Sequence, residues 1–108
     1  MAIDWSNIGS SVEQAVAAVV GPDWRIVAPA ARAQLTALVE TAQAIETDRD
    51  QMSAAEYHGL RLSQQRAFEG VLAANAAISI VVAEQAAAAA WNVVAQALKT
   101  AYPALSFL

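Results

Sequence analysis

The sequence predicts an all-α fold. Alanine dominates an apolar fraction of 57%, against only 15% charged residues. An average domain is nearer 25% charged. Alanine is the best helix former and adds little area when buried, so the composition favours long, closely packed helices over a thick core. Two S-x-x-E capping boxes, at Ser10–Glu13 and Ser53–Glu56, mark helix starts in which side chains satisfy orphan backbone N–H groups. Strong stops are few. With 108 residues the chain is one helical domain, expected as a short helix plus an αα-hairpin with one long Ala-rich helix, packed in a bundle or oligomer.

Residues 1–9 read as an irregular arm, with Trp5 and Ile8 available to dock it. A first helix is expected over 11–20, opened by the Ser10 box. Val12, Val16 and Val19 recur on one face. Gly21 ends it, and Pro22 follows as a second stop. Pro22-Asp23 could begin a turn carrying Trp24 and Val27. Pro29 is then read as restarting a helix at its first turn, where its missing N–H costs nothing. This second helix, 29–50, would bury Leu35, Leu38, Ala42 and Ile45 and leave Arg32, Thr36, Glu40 and Gln43 wet.

The Ser53–Glu56 box is the strongest local signal. Met52 and Tyr57 flank it at the two positions of a hydrophobic staple, so a helix starts at Ala54 and folds back on its predecessor as a hairpin. No strong stop follows until Pro103, because isolated Gly59 and Gly70 weaken a helix without forcing a break. One helix over 54–100 is expected, with a break near Gly70 as the alternative. Lys99 suits the negative end of its dipole.

A continuous helix of that length would extend about 70 Å, and the second helix would cover only about 30 Å of it. From Gly70 to Leu98 the only charged residue is Glu84, and residues 71–83 are apolar on nearly every face. A helix apolar all round is buried on all sides. Either Gly70 breaks the helix and a four-helix bundle forms, or other copies bury it. Small residues at Ala73, Ala77, Ala83 and Ala86 to Ala90 would permit close helix approach. Gln64, Asn75, Gln85 and Gln96 recur about every eleven residues, a spacing that holds a stripe on one helix face. Asn92 lies close by. Such amides could set register in an oligomer, line a wet lumen, or only keep one side solvated. The expected oligomer interface is Val71, Asn75, Ile78, Val82, Gln85, Ala89, Val93 and Gln96. The apolar tail, 101–108, is expected to dock through Tyr102, Leu105, Phe107 and Leu108 onto the core or onto a neighbour.

A net charge of −4 and scattered basic residues argue against general nucleic-acid binding, which needs a basic patch. The acids between Glu40 and Glu56 read as a solvated surface. With no cysteine, neither a disulfide nor a thiolate metal site is available. Glu56 and His58 form Glu-x-His, not the Glu-x-x-His of di-iron bundles. Glu46, Asp48 and Asp50 alternate as in a calcium loop, but Gln51 and Tyr57 stand where Gly and Glu are required. No catalytic set, metal or cofactor is therefore expected. The start of the sequence lacks the features of a secretory signal, so the expected location is the cytoplasm or an assembled particle. The expected function is non-enzymatic: a self-associating structural component, as of a virion, tail or conduit, with other structural proteins as possible partners. One alternative is a membrane-active protein inserting the 70–98 region, although Glu84 would sit near the bilayer centre at a cost of roughly 2.5–3.5 kcal/mol. A second is a small bundle binding a ligand between Glu56, Tyr57 and His58, or binding a partner protein.

Overall fold

The computed structural model describes residues 3–48 and 50–103. Four α-helices follow one another: α1 (Trp5–Val20), α2 (Trp24–Asp48), α3 (Ala54–Ala73) and α4 (Ile80–Ala101), with a 3₁₀ turn, Gly21–Asp23, between the first two. The helices run up, down, up and down. Each packs on its sequence neighbour, and α4 closes the ring on α1, the most extensive contact in the bundle. At 1.5 Å per residue α2 is about 37 Å long, close to the 41 Å long axis of the molecule.

α1 begins earlier than the sequence reading placed it. Asp4 is its N-cap, and the Asp4 carboxylate accepts from the Asn7 N–H at 3.2 Å. Ser10 and Glu13 are therefore interior residues and not a capping box. Glu13 reaches across to α2, where it accepts from Arg32 Nε at 2.7 Å. Val12 and Val16 of the expected face are buried, but the third buried position is Val20, and the expected Val19 is only partly buried against the core. Gly21 closes α1 with φ +76° and ψ −143°, a conformation open essentially to glycine alone.

α2 does not restart at Pro29. It begins at Trp24 and passes through the proline. Proline removes one N–H, so the carbonyl four residues earlier, that of Arg25, loses its helical partner. Arg25 and Pro29 are both exposed, and water can replace the lost bond. The extra turn buries Val27 and Ala28, and Ala31 is buried with the expected Leu35, Leu38, Ala42 and Ile45.

Half of the expected Ser53 box forms: the Ser53 hydroxyl accepts from the Glu56 N–H at 3.1 Å, but the Glu56 carboxylate accepts from that same hydroxyl at 3.1 Å and not from a backbone N–H. Tyr57 is fully buried, and Met52 is partly buried against the core. The stretch 54–100 is two helices, not one. The break lies at 74–79, beyond Gly70, which stays inside α3. Polar side chains that compete for backbone make it. Asn75 Oδ1 accepts from the Ala77 N–H at 2.9 Å, and Ser79 caps α4 by accepting from the Val82 N–H at 3.1 Å. Asn and Ser favour such local bonds over helix interiors. The break lets α4 fold back and bury its own apolar face: Ala83, Ala86, Ala87, Ala90, Trp91, Val94 and Leu98.

Candidate interaction surface

Two polar clusters hold the bundle in its closed form. In the core, Trp91 Nε1 donates to the Tyr57 hydroxyl at 2.8 Å, joining α4 to α3. The rings meet with centroids 5.9 Å apart. Burial pushes the Tyr57 phenol above its ordinary value, only partly offset by the Trp91 hydrogen bond and the nearby Arg61 charge. At the end of the molecule where α1 begins and α4 finishes, Glu46 of α2 acts as a clamp. One carboxylate oxygen accepts from Trp5 Nε1 at 3.1 Å, and the other accepts from the Tyr102 hydroxyl at 2.8 Å. A charged acceptor makes both bonds stronger than neutral ones.

Charge is distributed unevenly over the four helices. α1 and α4 together carry Glu13, Glu84 and Lys99. α2 carries Arg25, Arg32, Glu40, Glu46 and Asp48, and α3 carries Glu56, Arg61, Arg66 and Glu69. Glu13 is drawn toward α2 by Arg32. The α1/α4 side is therefore almost uncharged between Glu84 and Lys99. On α4 this side presents a strip at helical spacing: Val81, Gln85 and Asn92 exposed, Ala89 half-buried, Gln96 exposed. The strip is about 22 Å long.

At one end the strip meets an apolar apex, formed where α2 begins and α3 passes to α4. Ile26, Ile80 and Val81 stand there with 56%, 69% and 61% of their surface exposed. Ala73, Ala74, Ala76 and Ala77 are exposed beside them. At the other end the strip enters a groove of about 720 Å³ along the α1/α4 seam. Ile3, Asp4 and Ile8 form one wall, and Asn92, Val93, Gln96, Ala97, Thr100 and Ala101 form the other.

The expected interface residues divide between surface and core. Gln85 and Gln96 are exposed, and Val71, Asn75, Ala89 and Val93 are half-buried. Val82 is half-buried and packs against the core. Ile78 is only 6% exposed and belongs to the core, so it faces its own bundle and not a second chain. The amide stripe is split by the break: Asn75 turns the backbone, whereas Gln85, Asn92 and Gln96 remain on one face. Among the small residues, Ala83, Ala86, Ala87 and Ala90 are buried, but Ala73 and Ala77 are exposed. Of the expected docking residues, Tyr102 is tied to Glu46. Leu105, Phe107 and Leu108 lie outside the described residues. The sequence reading missed the charge asymmetry and the apex, because both depend on which helices adjoin.

Glu56 and His58 are exposed while Tyr57 faces the core, so these three do not converge on a common pocket. Among the described residues no group of three or more His, Asp or Glu is placed to hold a metal, and no helix is long and apolar enough to cross a membrane. All four threonines donate their hydroxyls to the carbonyl four residues earlier in their own helix. No family model, curated protein or solved structure matches this chain.

Proposed function

We propose that this protein is a non-enzymatic helical assembly module that associates with copies of itself through its α1/α4 side. The observation carrying this reading is the low charge: the strip Val81, Gln85, Ala89, Asn92 and Gln96 runs between an apolar apex and an apolar groove, and Glu84 near its start is the one charged residue of α4 before Lys99. Interface centres are depleted in charge relative to the rest of a surface. Small and amide side chains let a second helix approach closely and still find hydrogen bonds. Burial of Ile78 and the inner alanines within the chain's own bundle makes the subunit a preformed unit, with no exposed core requiring a partner in order to fold. Such a module suits a repeated structural component of a larger particle, tail or conduit.

The test is molar mass by light scattering during size exclusion, comparing the parent with V81E, N92E and S63E. All three positions are exposed, and Ser63 lies on α3, away from the strip. The parent is expected as a discrete multimer. V81E and N92E shift it toward monomer, because an unpaired charge in a buried interface is costly. S63E leaves it unchanged. A parent that stays monomeric up to millimolar concentration, or equal behaviour of all three variants, would overturn the reading.

A further inference from the structure

α4 carries two charged residues, Glu84 and Lys99, and both are exposed. Among the described residues neither has an ionic partner within its own chain. Building on self-association through the α1/α4 strip, we propose that two copies pair their α4 helices antiparallel, about a two-fold axis level with the Ala90–Trp91 peptide. Gln85 of each copy then meets the partner's Gln96, and Ala89 meets the partner's Asn92. Glu84 pairs with the partner's Lys99.

Three features carry this pairing. The first is the symmetry of the strip. Gln85 and Gln96 lie equally far from the Ala90–Trp91 peptide, and so do Ala89 and Asn92. Reversing the helix therefore lays the strip onto itself. A two-fold contact needs that pattern, because residue i meets j wherever j meets i. A side-chain amide both donates and accepts, so each Gln85–Gln96 pair satisfies itself, and Ala89 lets the backbones approach. The second is charge. Glu84 and Lys99 stand about 60° apart around the helix, on the same flank of the strip. A two-fold axis across the helices keeps each flank on its own side. It brings Glu84 and the partner's Lys99 level to within about 3 Å along the helix. Parallel helices in register would instead set Glu84 beside Glu84 and Lys99 beside Lys99. Sliding them until opposite charges meet takes about 22 Å, which leaves little overlap between helices of 22 residues. The third is placement. The residues that α4 buries in its own bundle, Ala83, Ala87, Ala90, Val94 and Leu98 among them, lie on its opposite face, so pairing leaves the bundle intact. Charges at the rim of a contact fix orientation more than affinity, and the amide and alanine centre carries the association. Such a contact closes at two copies, so growth into a larger particle uses a different surface.

The experiment is disulfide trapping on the full chain, which has no cysteine of its own. Q85C and Q96C are oxidised separately and as an equimolar mixture. A disulfide needs Cα atoms within about 7 Å. In the antiparallel pair the two Gln85 positions are about 16 Å apart along the helices, and so are the two Gln96 positions. A linked dimer is expected from the mixture and from neither variant alone. Charge reversal gives a second readout at low salt. E84K or K99E alone should weaken dimerisation on the order of fivefold, and the E84K/K99E chain should recover the parental affinity. Linking within Q85C alone or Q96C alone would mean parallel helices and would overturn the proposal. A mixture that does not link, or a double reversal no tighter than the singles, would overturn it too. Light scattering separates this outcome from the fate of self-association: a multimer with the wrong links removes the antiparallel pairing alone, whereas a monomer removes both.

Discussion

Tyr57 does two jobs that a phenylalanine could not. Its ring fills the core between α3 and α4, and its oxygen takes the one N–H that Trp91 brings into that core. Y57F keeps the ring and orphans the indole donor. A buried donor without a partner costs about 1–3 kcal/mol, and urea unfolding should register a loss of that size. The substitution should also change the response to alkali. Burial raises the folded-state phenol above the ordinary 10.0, so the folded chain holds its proton more tightly than the unfolded chain. The resulting stability is complete below about pH 10 and is lost as pH rises through the higher folded value. Y57F should flatten the fall in stability above pH 10, leaving only the background from other groups. Parallel pH profiles for parent and variant would show that Tyr57 does not titrate against folding. The sequence marked Tyr57 as a staple position because Met52 and Ser53 are local. Its bond to Trp91, 34 residues away, had no local sign, since it depends on which helix faces α3.

At the scale of the helix, apolar spacing was a better guide than the punctuation residues. Val12 and Val16 of α1 and the Leu35–Ile45 face of α2 are buried as their spacing requires. The breakers misled in both directions. Pro29 looked like a boundary and is interior, because its missing bond falls on the wet side. Gly70 looked like the weak point and is helical, while the chain turns at Asn75 and Ser79. Asn75 had been read as part of a polar stripe on a continuous helix and Ser79 as one position of the 71–83 stretch, yet each bonds backbone locally. Apolar neighbours on either side hid the break, since alanine and valine give no signal of their own. Pro29 also supplies a direct test. P29A would restore the N–H to the Arg25 carbonyl at an exposed position where no packing is lost. A proline inside a helix costs about 3 kcal/mol or more, offset by up to about 1 kcal/mol of unfolded-state restriction. P29A should therefore raise stability by about 2 kcal/mol or more in urea unfolding. A loss of stability would mean that the Trp24–Ala28 turn is held by the proline and not in spite of it.

For the whole molecule, closure of the bundle changes what self-association has to accomplish. A single 70 Å helix would need partners to bury its apolar length. The broken form is a closed bundle measuring 41 × 26 × 18 Å, with Ala83, Ala86, Ala87 and Ala90 of α4 buried inside it. Any association then works on surface alone, and the nature of that surface predicts its response to salt. Every copy carries a net charge of −4, so copies repel at long range. The α1/α4 side shares in that repulsion, because Asp4, Glu13 and Glu84 outnumber Lys99 there. The screening length falls from about 30 Å at 0.01 M salt to about 3 Å at 1 M, and apolar contact does not weaken over that range. Association through the α1/α4 strip should therefore strengthen as salt rises, with the multimer persisting to lower protein concentration in 1 M than in 0.01 M salt. Association through ion pairs between Arg61 or Arg66 of one copy and the acids of another would do the reverse. Light scattering across that salt series separates the two cases without any mutation. A multimer that dissolves in high salt would place the contact on the charged α2/α3 side and leave the α1/α4 strip without a role in assembly.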